Sequence, residues 1–259
     1  MGYRIHLSRR RAKLWFLLFV TLWVFAYLYY SPHWQVPNIE EEKPVAVKEK
    51  KELSRVGEKI VFDVMMGKLR LGQATYQHLE VTELNGKKVN VISFLTELVR
   101  FRDRETIYCD PETFLPYLVE RKISRLLKQE YIDEEYDQEK FILKITKKRF
   151  GKSTEIIKKD KPINNAILLP YYARNYGEIE PGWSFKANLP QRDFEIFFVD
   201  FQAIKVPGGE FKAYYFESQP KQIKIWISAD KYRVPLRIEG TGGIGYKLLM
   251  KEYSPPAAE

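Results

Sequence analysis

The 259-residue sequence contains one cysteine and three histidines, and this scarcity limits the chemistry that it can support. A lone thiol, Cys109, excludes an internal disulfide framework and every multi-cysteine metal site. The sequence also lacks an HExxH, a GxSxG, a P-loop and a GxGxxG that leads into a helix. We therefore predict a non-enzymatic protein with no catalytic residue, no metal site and no cofactor.

Charge is absent from a long run near the N-terminus. Residues 1–13 hold five Arg or Lys and no Asp or Glu, and residues 14–30 carry no charge at all. At about 1.5 Å per residue this run is roughly 25 Å long, just enough to span the hydrocarbon of a bilayer. The positive-inside rule keeps the basic flank in the cytoplasm. We predict a single-pass transmembrane signal anchor at 14–30, which in a bacterium places the C-terminal domain in the periplasm.

Other targeting signals are alternatives to the anchor. A cleaved signal peptide usually has an apolar region of about 7–15 residues that ends in a small-x-small site. Here the run exits through bulky residues, Tyr-Tyr-Ser-Pro-His-Trp at 29–34. The segment 8–10 resembles part of a twin-arginine signal, although the run behind it is more hydrophobic than such signals usually are. No cysteine follows the run directly, so a lipid-modified bacterial N-terminus is excluded.

The formal net charge of +9 does not indicate nucleic-acid binding. Five of these charges belong to the predicted cytoplasmic flank, and no RNP-like, helix-turn-helix or zinc-finger pattern accompanies the rest. We predict no nucleic-acid partner. The remaining basic residues indicate a solvated surface or attraction to anionic lipid headgroups.

Beyond the anchor, the sequence predicts a linker at 31–56, a periplasmic β-domain at 57–253 and a tail at 254–259. The linker contains three prolines and many charges without a sustained period. From residue 57 the apolar residues alternate with a period of two, which is typical of antiparallel strands. Asn85-Gly86 between two such runs is a strong hairpin signal. We expect strands near 58–66, 69–81, 89–98, 104–109, 117–127, 129–136, 141–150, 154–158, 183–189, 193–206, 210–218, 222–228, 234–239 and 246–253.

One segment departs from this period. Between 161 and 176 apolar residues recur at helical spacing, among them Ile167 and Tyr171. Asp160 can cap the start, Gly177 can end the last turn and Pro170 can kink the middle. We predict one amphipathic helix of about fifteen residues. The fold class is therefore mainly β, a large curved antiparallel sheet or incomplete β-barrel with one or two helices.

Four sequence motifs support a resemblance to a known family. They are Gly57-Glu58 at the opening, Gly72 with Ala74, Asp110 with Thr113 and Pro116, and the series Trp226, Ser228, Asp230, Arg233 and Pro235. In this order and spacing the segment 57–253 resembles the bacterial envelope family called domain of unknown function 3108. The opening departs slightly, with Ile60 and Phe62 where that family more often has Leu and Tyr.

The resemblance implies a fold similar in outline to the periplasmic lipoprotein carriers of the LolA and LolB type. Those carriers bind acyl chains in half-open β-barrels under a helical lid and have no enzymatic activity. A shared fold does not assign a function, but the analogy favours binding.

The strand at 193–206 suggests where an apolar ligand would lie. Phe194, Ile196 and Phe198 share one face, and Phe197, Val199 and Phe201 are expected on the other. Two explanations fit a strand that is apolar on both faces. It packs within the core, or it forms the wall of a hydrophobic groove. The residues that we predict to line this groove are Phe194, Ile196, Phe198, Trp226, Ile167 and Tyr171.

The other residues with potential chemistry have structural explanations. We expect Cys109 to be inert, His78 to be structural and Gly240-Thr241-Gly242-Gly243-Ile244-Gly245 to form a wide turn or bulge. Asp200 lies among apolar residues, so either its pKa is raised or it pairs with a basic residue across the sheet.

Three functions remain open on the sequence alone. The first is an anchored envelope protein whose β-domain binds a lipid, a lipoprotein or another amphiphile. The second is a structural or assembly scaffold that contacts other envelope proteins. The third is an enzyme with two convergent carboxyl groups, such as a glycan hydrolase.

Overall fold

Strands dominate the residues that this computed structural model describes, which are 55–126, 128–149, 151–175, 179–240 and 245–256. Within these residues fourteen strands form one antiparallel sheet, as the period-two pattern predicts. They are β1 (Lys59–Met66), β2 (Leu69–Leu84), β3 (Lys87–Leu98), β4 (Phe101–Cys109), β5 (Pro116–Arg125), β6 (Lys128–Asp137), β7 (Ile142–Lys148), β8 (Lys152–Lys158), β9 (Ser184–Asn188), β10 (Asp193–Val206), β11 (Gly209–Gln219), β12 (Ile223–Ser228), β13 (Pro235–Gly240) and β14 (Tyr246–Ser254). The predicted mainly-β class is confirmed, and each predicted strand corresponds to one of these.

The order of the strands makes the sheet open. From one edge to the other it runs β8-β7-β6-β5-β4-β3-β2-β1-β14-β13-β12-β11-β10-β9. The first and last strands, β1 and β14, pair in the middle of the sheet. The two edges, β8 and β9, are consecutive in the chain, so the segment that joins them runs from one edge to the other.

This connecting segment contains a helix that is shorter than predicted. A 3₁₀ turn at Ala166–Leu168 leads into α1 (Leu169–Asn175), and the cap is Asn165, whose Oδ1 accepts from the backbone N–H of Ile167 at 2.8 Å. Asp160 is therefore not the cap. Pro170 lies in the first turn of α1, where its missing N–H group is not needed, so it does not kink the helix. The predicted end at Gly177 lies outside the described residues.

The residues before the 3₁₀ turn are extended because Asn188 and Gln138 bind their backbone. Asn164 and Asn188 exchange two hydrogen bonds of 2.8 Å, Asn164 N–H to the Asn188 carbonyl and Asn188 N–H to Asn164 Oδ1. Gln138 accepts from the N–H of Ile163 at 2.9 Å and donates to its carbonyl at 2.9 Å. These contacts satisfy the backbone locally and favour an extended conformation over another helical turn.

One continuous apolar core connects the sheet with α1. The largest fully buried apolar side chains include Phe62 of β1, Phe216 of β11 and Tyr171 of α1. Every residue of α1 from Leu169 to Arg174 is buried. The helix is thus a part of the core.

The two ends of the sheet differ in the elements and turns that they hold, and we name them the helix end and the hairpin end. The helix end holds α1, the start of β1, the β4–β5 turn and the β12–β13 turn. The hairpin end holds the turns β1–β2, β3–β4, β5–β6 and β7–β8, which share one end because the strands alternate in direction.

The predicted flank, anchor and most of the linker, residues 1–54, lie outside the described part of the chain. Within the described part, α1 and the 3₁₀ turn are both far too short to cross a membrane, and no membrane-spanning helix is found there.

Candidate functional site

A buried ion pair fixes α1 at the helix end. Arg174 of α1 donates to both carboxylate oxygens of Glu58, with Nη1 to Oε2 at 2.9 Å and Nη2 to Oε1 at 2.5 Å. The same Nη2 donates to the carbonyl of Tyr232 at 3.0 Å, and Tyr253 Oη donates to Glu58 Oε1 at 3.1 Å. Arg174 and Glu58 are both almost completely buried. A two-pronged pair of this kind satisfies the charges and also fixes the helix orientation.

A second guanidinium shares the same carboxylate. Arg55 Nη1 lies 3.6 Å from Glu58 Oε1 and donates to the Tyr232 carbonyl at 3.2 Å. Burial and the neighbouring charge of Arg174 together lower the pKa of Arg55 to about 10, although the charge of Glu58 acts in the opposite direction. Burial alone would raise the pKa of Glu58, but Arg174 and Arg55 outweigh it and hold that pKa below its ordinary value. We call Glu58, Arg174 and Arg55 the helix-end cluster; it holds two positive charges and one negative.

His78 lies beside this cluster and is itself buried. Its backbone N–H donates to the Glu58 carbonyl at 3.0 Å, and its carbonyl accepts from Gly57 at 2.9 Å. Burial lowers the pKa of His78 to about 4. The ring is therefore neutral at physiological pH, which agrees with the structural role that the sequence predicts.

A carboxylate-centred turn places an aromatic ring under α1. Asp110 Oδ1 accepts from the N–H groups of Glu112 and Thr113 at 3.1 and 2.8 Å, and Tyr117 donates to its Oδ2 at 3.2 Å. The turn puts Phe114 in the left-handed region, with φ of 56°. Its ring then stacks on Tyr171 of α1, with centroids 5.1 Å apart. The turn formed by the Asp-x-x-Thr motif thus positions Phe114 against α1.

The second motif turn works in the same way between β12 and β13. Asp230 Oδ1 accepts from Tyr232 N, Arg233 N and Ser228 Oγ at 2.9, 3.0 and 2.9 Å. This brings the Tyr232 carbonyl to Arg174 and turns Arg233, with φ of 49°, onto the ring of Tyr214 at 5.6 Å.

Three of the predicted groove residues lie together on β10. Phe194, Ile196 and Phe198 are buried on the face of the sheet that packs into the core. Ile196 pairs across the strands with Phe185 of β9, whose ring centroid is 6.2 Å from that of Tyr172 in α1. The β10 face and the helix therefore meet through β9.

The other three predicted residues are placed differently. Tyr171 stacks on Phe114 and lies 4.9 Å from the ring of Tyr76, and the carbonyl of Ile167 accepts from Tyr76 Oη at 2.9 Å. Both residues thus contact the β2 side of the core. Trp226 lies on the opposite face of the sheet from Phe198, as the register across the strands shows.

The register that places Trp226 runs through β11. Phe198 pairs with Phe216, which pairs with Ile225, so these three side chains share one face. Trp226 pairs with Tyr215 and stacks on it at 4.6 Å. The structure therefore does not bring Trp226 together with the β10 residues.

A bulge in β10 changes the predicted alternation. The pairing with β11 shifts between Phe198 and Asp200, so Phe201 joins the face of Phe198 instead of the opposite one. The two rings are 5.3 Å apart, and Tyr214 lies 4.8 Å from Phe201. A bulge of this kind leaves no clear signal in the sequence.

These rings form a surface that extends from the core to the solvent, which we call the aromatic surface. It consists of Phe198, Phe201, Tyr214, Phe216 and Trp183, with neighbouring centroids between 4.8 and 6.5 Å apart. Phe216 is fully buried, whereas Phe201 is 58% exposed. The sequence prediction missed Tyr214, Phe216 and Trp183.

A shallow depression of about 340 Å³ lies along the β10–β11 hairpin. It is lined by Ala203, Ile204, Lys205, Glu210, Phe211 and Lys212. Its volume falls at the lower end of the range for small-molecule sites, roughly 300–1,000 Å³.

A second, partly buried ion cluster lies nearer the hairpin end. Arg121 of β5 donates to both oxygens of Asp103 at 2.9 and 2.5 Å, and its Nε lies 3.3 Å from Glu105. Burial raises the pKa of Glu105 to about 7 against the influence of Arg121, and the charges of Asp103 and Glu134 add to the rise. We call Arg121, Asp103, Glu105 and Glu134 the β4–β6 cluster. Glu105 is a carboxyl that can gain or lose a proton near neutral pH.

The structure also shows where the remaining candidate residues from the sequence lie. Asp200 is exposed and faces Tyr215 across the strand pair. Cys109 is fully buried, and burial raises the pKa of its thiol. Gly240 ends β13, and residues 241–244 lie outside the described part. Among the described residues, no group of three or more His, Cys, Asp or Glu side chains is arranged to hold a metal ion.

The described residues therefore define a mainly-β protein built on one open antiparallel sheet, with a buried helix in the segment that joins its two edge strands. The chain belongs to the family described as "Protein of unknown function (DUF3108)", whose model matches residues 61–251. The resemblance inferred from the motifs is thereby confirmed.

The chain also matches solved structures whose sequences are very different from its own. A β-barrel-like protein of domain of unknown function DUF1849 from Brucella abortus is 8% identical, with 80% of this chain and 100% of that chain covered and a TM-score of 0.48. A protein from Parabacteroides distasonis proposed to be a lipoprotein is 12% identical over 77% of this chain and 95% of that one, with a TM-score of 0.26. A protein from Bacteroides fragilis with a YmcC-like fold, proposed to be exported, is 8% identical over 81% and 100%, with a TM-score of 0.28. No curated protein matches the sequence.

Proposed function

We propose that this chain is a non-enzymatic, membrane-anchored envelope protein whose β-domain binds an amphiphile on the aromatic surface. The basic flank at 1–13 and the uncharged run at 14–30 support a single-pass anchor with the β-domain in the periplasm. The ligand class is a lipid, a lipoprotein acyl chain or a similar amphiphile.

The observation that carries this proposal is the continuity of the aromatic surface. Exposed aromatic rings that connect to a buried core offer an acyl chain a place to leave water, at roughly 25 cal/mol per Å² of apolar surface covered. Phe201 is half-exposed although it packs against buried Phe198, so the surface is partly covered by the protein itself.

The experiment is native mass spectrometry of the full-length protein in a mild detergent, with lipid extraction from the same sample. We expect a discrete adduct that disappears on denaturation. Phe201→Ser should reduce the adduct at least tenfold. Ile156→Ser is the matched control, because Ile156 is a comparably exposed apolar residue, 68% against 58%.

Two results would contradict the proposal. An adduct that survives Phe201→Ser undiminished would place the ligand elsewhere. A clean unliganded mass together with a co-purifying protein would support the scaffold function instead.

A further inference from the structure

The four turns of the hairpin end lie side by side. We call them the rim, residues 66–70, 98–102, 125–126 with 128, and 148–149 with 151–152. Consecutive hairpins of one sheet are separated by two strand spacings, about 10 Å. The N–H of Leu126 donates to the carbonyl of Arg100 at 3.3 Å, so the second and third turns touch directly.

Charge of one sign is concentrated at the rim. Its four turns hold nine Lys or Arg and no Asp or Glu. At the helix end of the same strands, the turns β4–β5 and β6–β7 carry Asp110, Glu112 and Glu139, and Asp137 closes β6. The helix end carries both signs, because the β2–β3 turn holds Lys87 and Lys88 and the β6–β7 turn holds Lys140, so charge of a single sign is a feature of the rim.

Part of this positive charge is balanced by carboxylates on the strands behind the turns. Arg70 pairs with Asp63 at 2.8 Å, and Arg102 pairs with Glu97 at 3.3 Å. Lys68 and Arg100 are exposed at the turns themselves. The outermost layer of the rim is therefore basic.

Each of the first three turns also exposes a large aliphatic side chain. Val99 is 85% exposed, Leu126 is 75% exposed and Leu69 is 61% exposed. Turns of soluble domains usually hold Gly, Asn, Asp, Ser or Pro, which satisfy the turn geometry without exposing apolar surface. Apolar residues at three neighbouring tips indicate a partner that covers them.

A membrane surface is the partner that fits this arrangement. Aliphatic side chains flanked by Lys and Arg are the composition of interfacial membrane-binding segments. Protein hot spots instead cluster large aromatic and Arg anchors at one well-packed centre. Tips about 10 Å apart match a planar surface into which each side chain inserts separately.

We propose that the rim docks on the surface of an anionic phospholipid bilayer, with Leu69, Val99 and Leu126 entering the headgroup region. This goes beyond the proposed amphiphile site, because the aromatic surface and the rim use different residues. Either proposal can fail while the other stands.

The test places an environment-sensitive fluorophore at the rim of the full-length protein. Val99→Cys is labelled with a nitrobenzoxadiazole dye, and Glu139→Cys in the β6–β7 turn is the matched exposed control. The native Cys109 is fully buried and should not react. Both proteins are reconstituted into vesicles of phosphatidylcholine alone or of phosphatidylcholine with phosphatidylglycerol.

We expect a blue shift and quenching by doxyl-labelled lipid for the Val99 probe in the anionic vesicles only. The Glu139 probe should emit as in water in both. Equal emission of the two probes would overturn the proposal. So would a shift that depends on the protein-to-lipid ratio, which would indicate a second copy of this chain at the rim.

Charge variants then test the basic component. Lys68→Gln with Arg100→Gln should weaken docking by about fivefold for each charge removed. Lys87→Gln with Lys88→Gln removes two charges at the opposite end and should leave docking unchanged. Circular dichroism shows that each variant is folded. Docking that responds equally to both pairs would contradict a rim-specific surface.

Discussion

The two ion clusters use similar chemistry with opposite charge balance. In the helix-end cluster two guanidiniums share the carboxylate of Glu58, and its pKa is lowered. In the β4–β6 cluster a single guanidinium serves several carboxyl groups, and the pKa of Glu105 rises to about 7. Glu58 is buried and only 13% of the Glu105 side chain is exposed, so burial alone does not decide their protonation. The ratio of positive to negative groups decides it.

The difference assigns different tasks to the two clusters. The helix-end cluster is fully ionised and holds α1, the start of β1 and the β12–β13 turn together. The β4–β6 cluster holds a group that exchanges a proton near neutral pH. Four variants would break or sharpen this comparison, and they are ordered by the size of the expected effect.

Removing the guanidinium of α1 should have the largest effect. Arg174→Met leaves Glu58 buried beside only the more distant Arg55, and we expect a loss of about 3–5 kcal/mol in the free energy of unfolding. Urea unfolding of the full-length protein in detergent measures it. Adding Glu58→Gln should recover part of the loss, because the buried charge is then removed as well. A loss below about 1 kcal/mol would show that the pair does not hold the helix.

Neutralising Glu105 should raise the free energy of unfolding instead of lowering it. A carboxyl with a raised folded-state pKa binds more protons in the folded state, so its stability contribution is complete at low pH and declines as pH rises from about 4.5 to about 7. Glu105→Gln should therefore add about 3 kcal/mol at pH 8 and nothing near pH 4. Glu83→Gln, at an exposed glutamate, is the control and should be neutral at both. A gain that is independent of pH would refute the raised pKa.

His78 should give the reverse pH dependence at the helix end. Its folded-state pKa of about 4 lies below the ordinary value of 6.5, so the protein should lose stability as pH falls through this window. At pH 5 the loss relative to pH 7 should be about 2 kcal/mol. His78→Leu should abolish this slope, as unfolding at several pH values would show. An unchanged slope would mean that folding does not lower the pKa of His78.

Removing the hydroxyl of Tyr253 should have the smallest effect on the free energy of unfolding. Tyr253→Phe removes one hydrogen bond to Glu58 and should cost about 1 kcal/mol. Tyr108→Phe is a matched control, because its hydroxyl donates to the exposed Glu120 at the same distance of 3.1 Å. That variant should be neutral within about 0.5 kcal/mol. Equal costs would show that burial does not strengthen the bond to Glu58.

The strands were predictable because period two directly reports a half-buried sheet. The hairpin at Asn85-Gly86 joins β2 to β3 as expected. The length of α1 was not predictable, because the bonds that keep the preceding residues extended come from Asn188 and Gln138, which lie 24 and 25 residues away in the chain.

The sites were harder to predict than the strands. Glu58 and Arg174 are 116 residues apart, and no local pattern links them. The bulge after Phe198 redirected Phe201, and the register placed Trp226 on the other face. The inward orientation of Glu105 was predictable from the sequence, because Glu105 lies two residues from buried Ile107 in an alternating strand.

The pairing of β1 with β14 has a consequence for how the protein is made. The seam at the centre of the sheet joins the first strand of the domain to its last, so strands β1 to β8 and β9 to β13 form two separate meanders until that last strand arrives. Loop-closure entropy must be overcome across nearly the whole domain before the seam forms. While a ribosome or a translocation channel still holds β14, the two meanders of the sheet therefore cannot pair through β1 and β14.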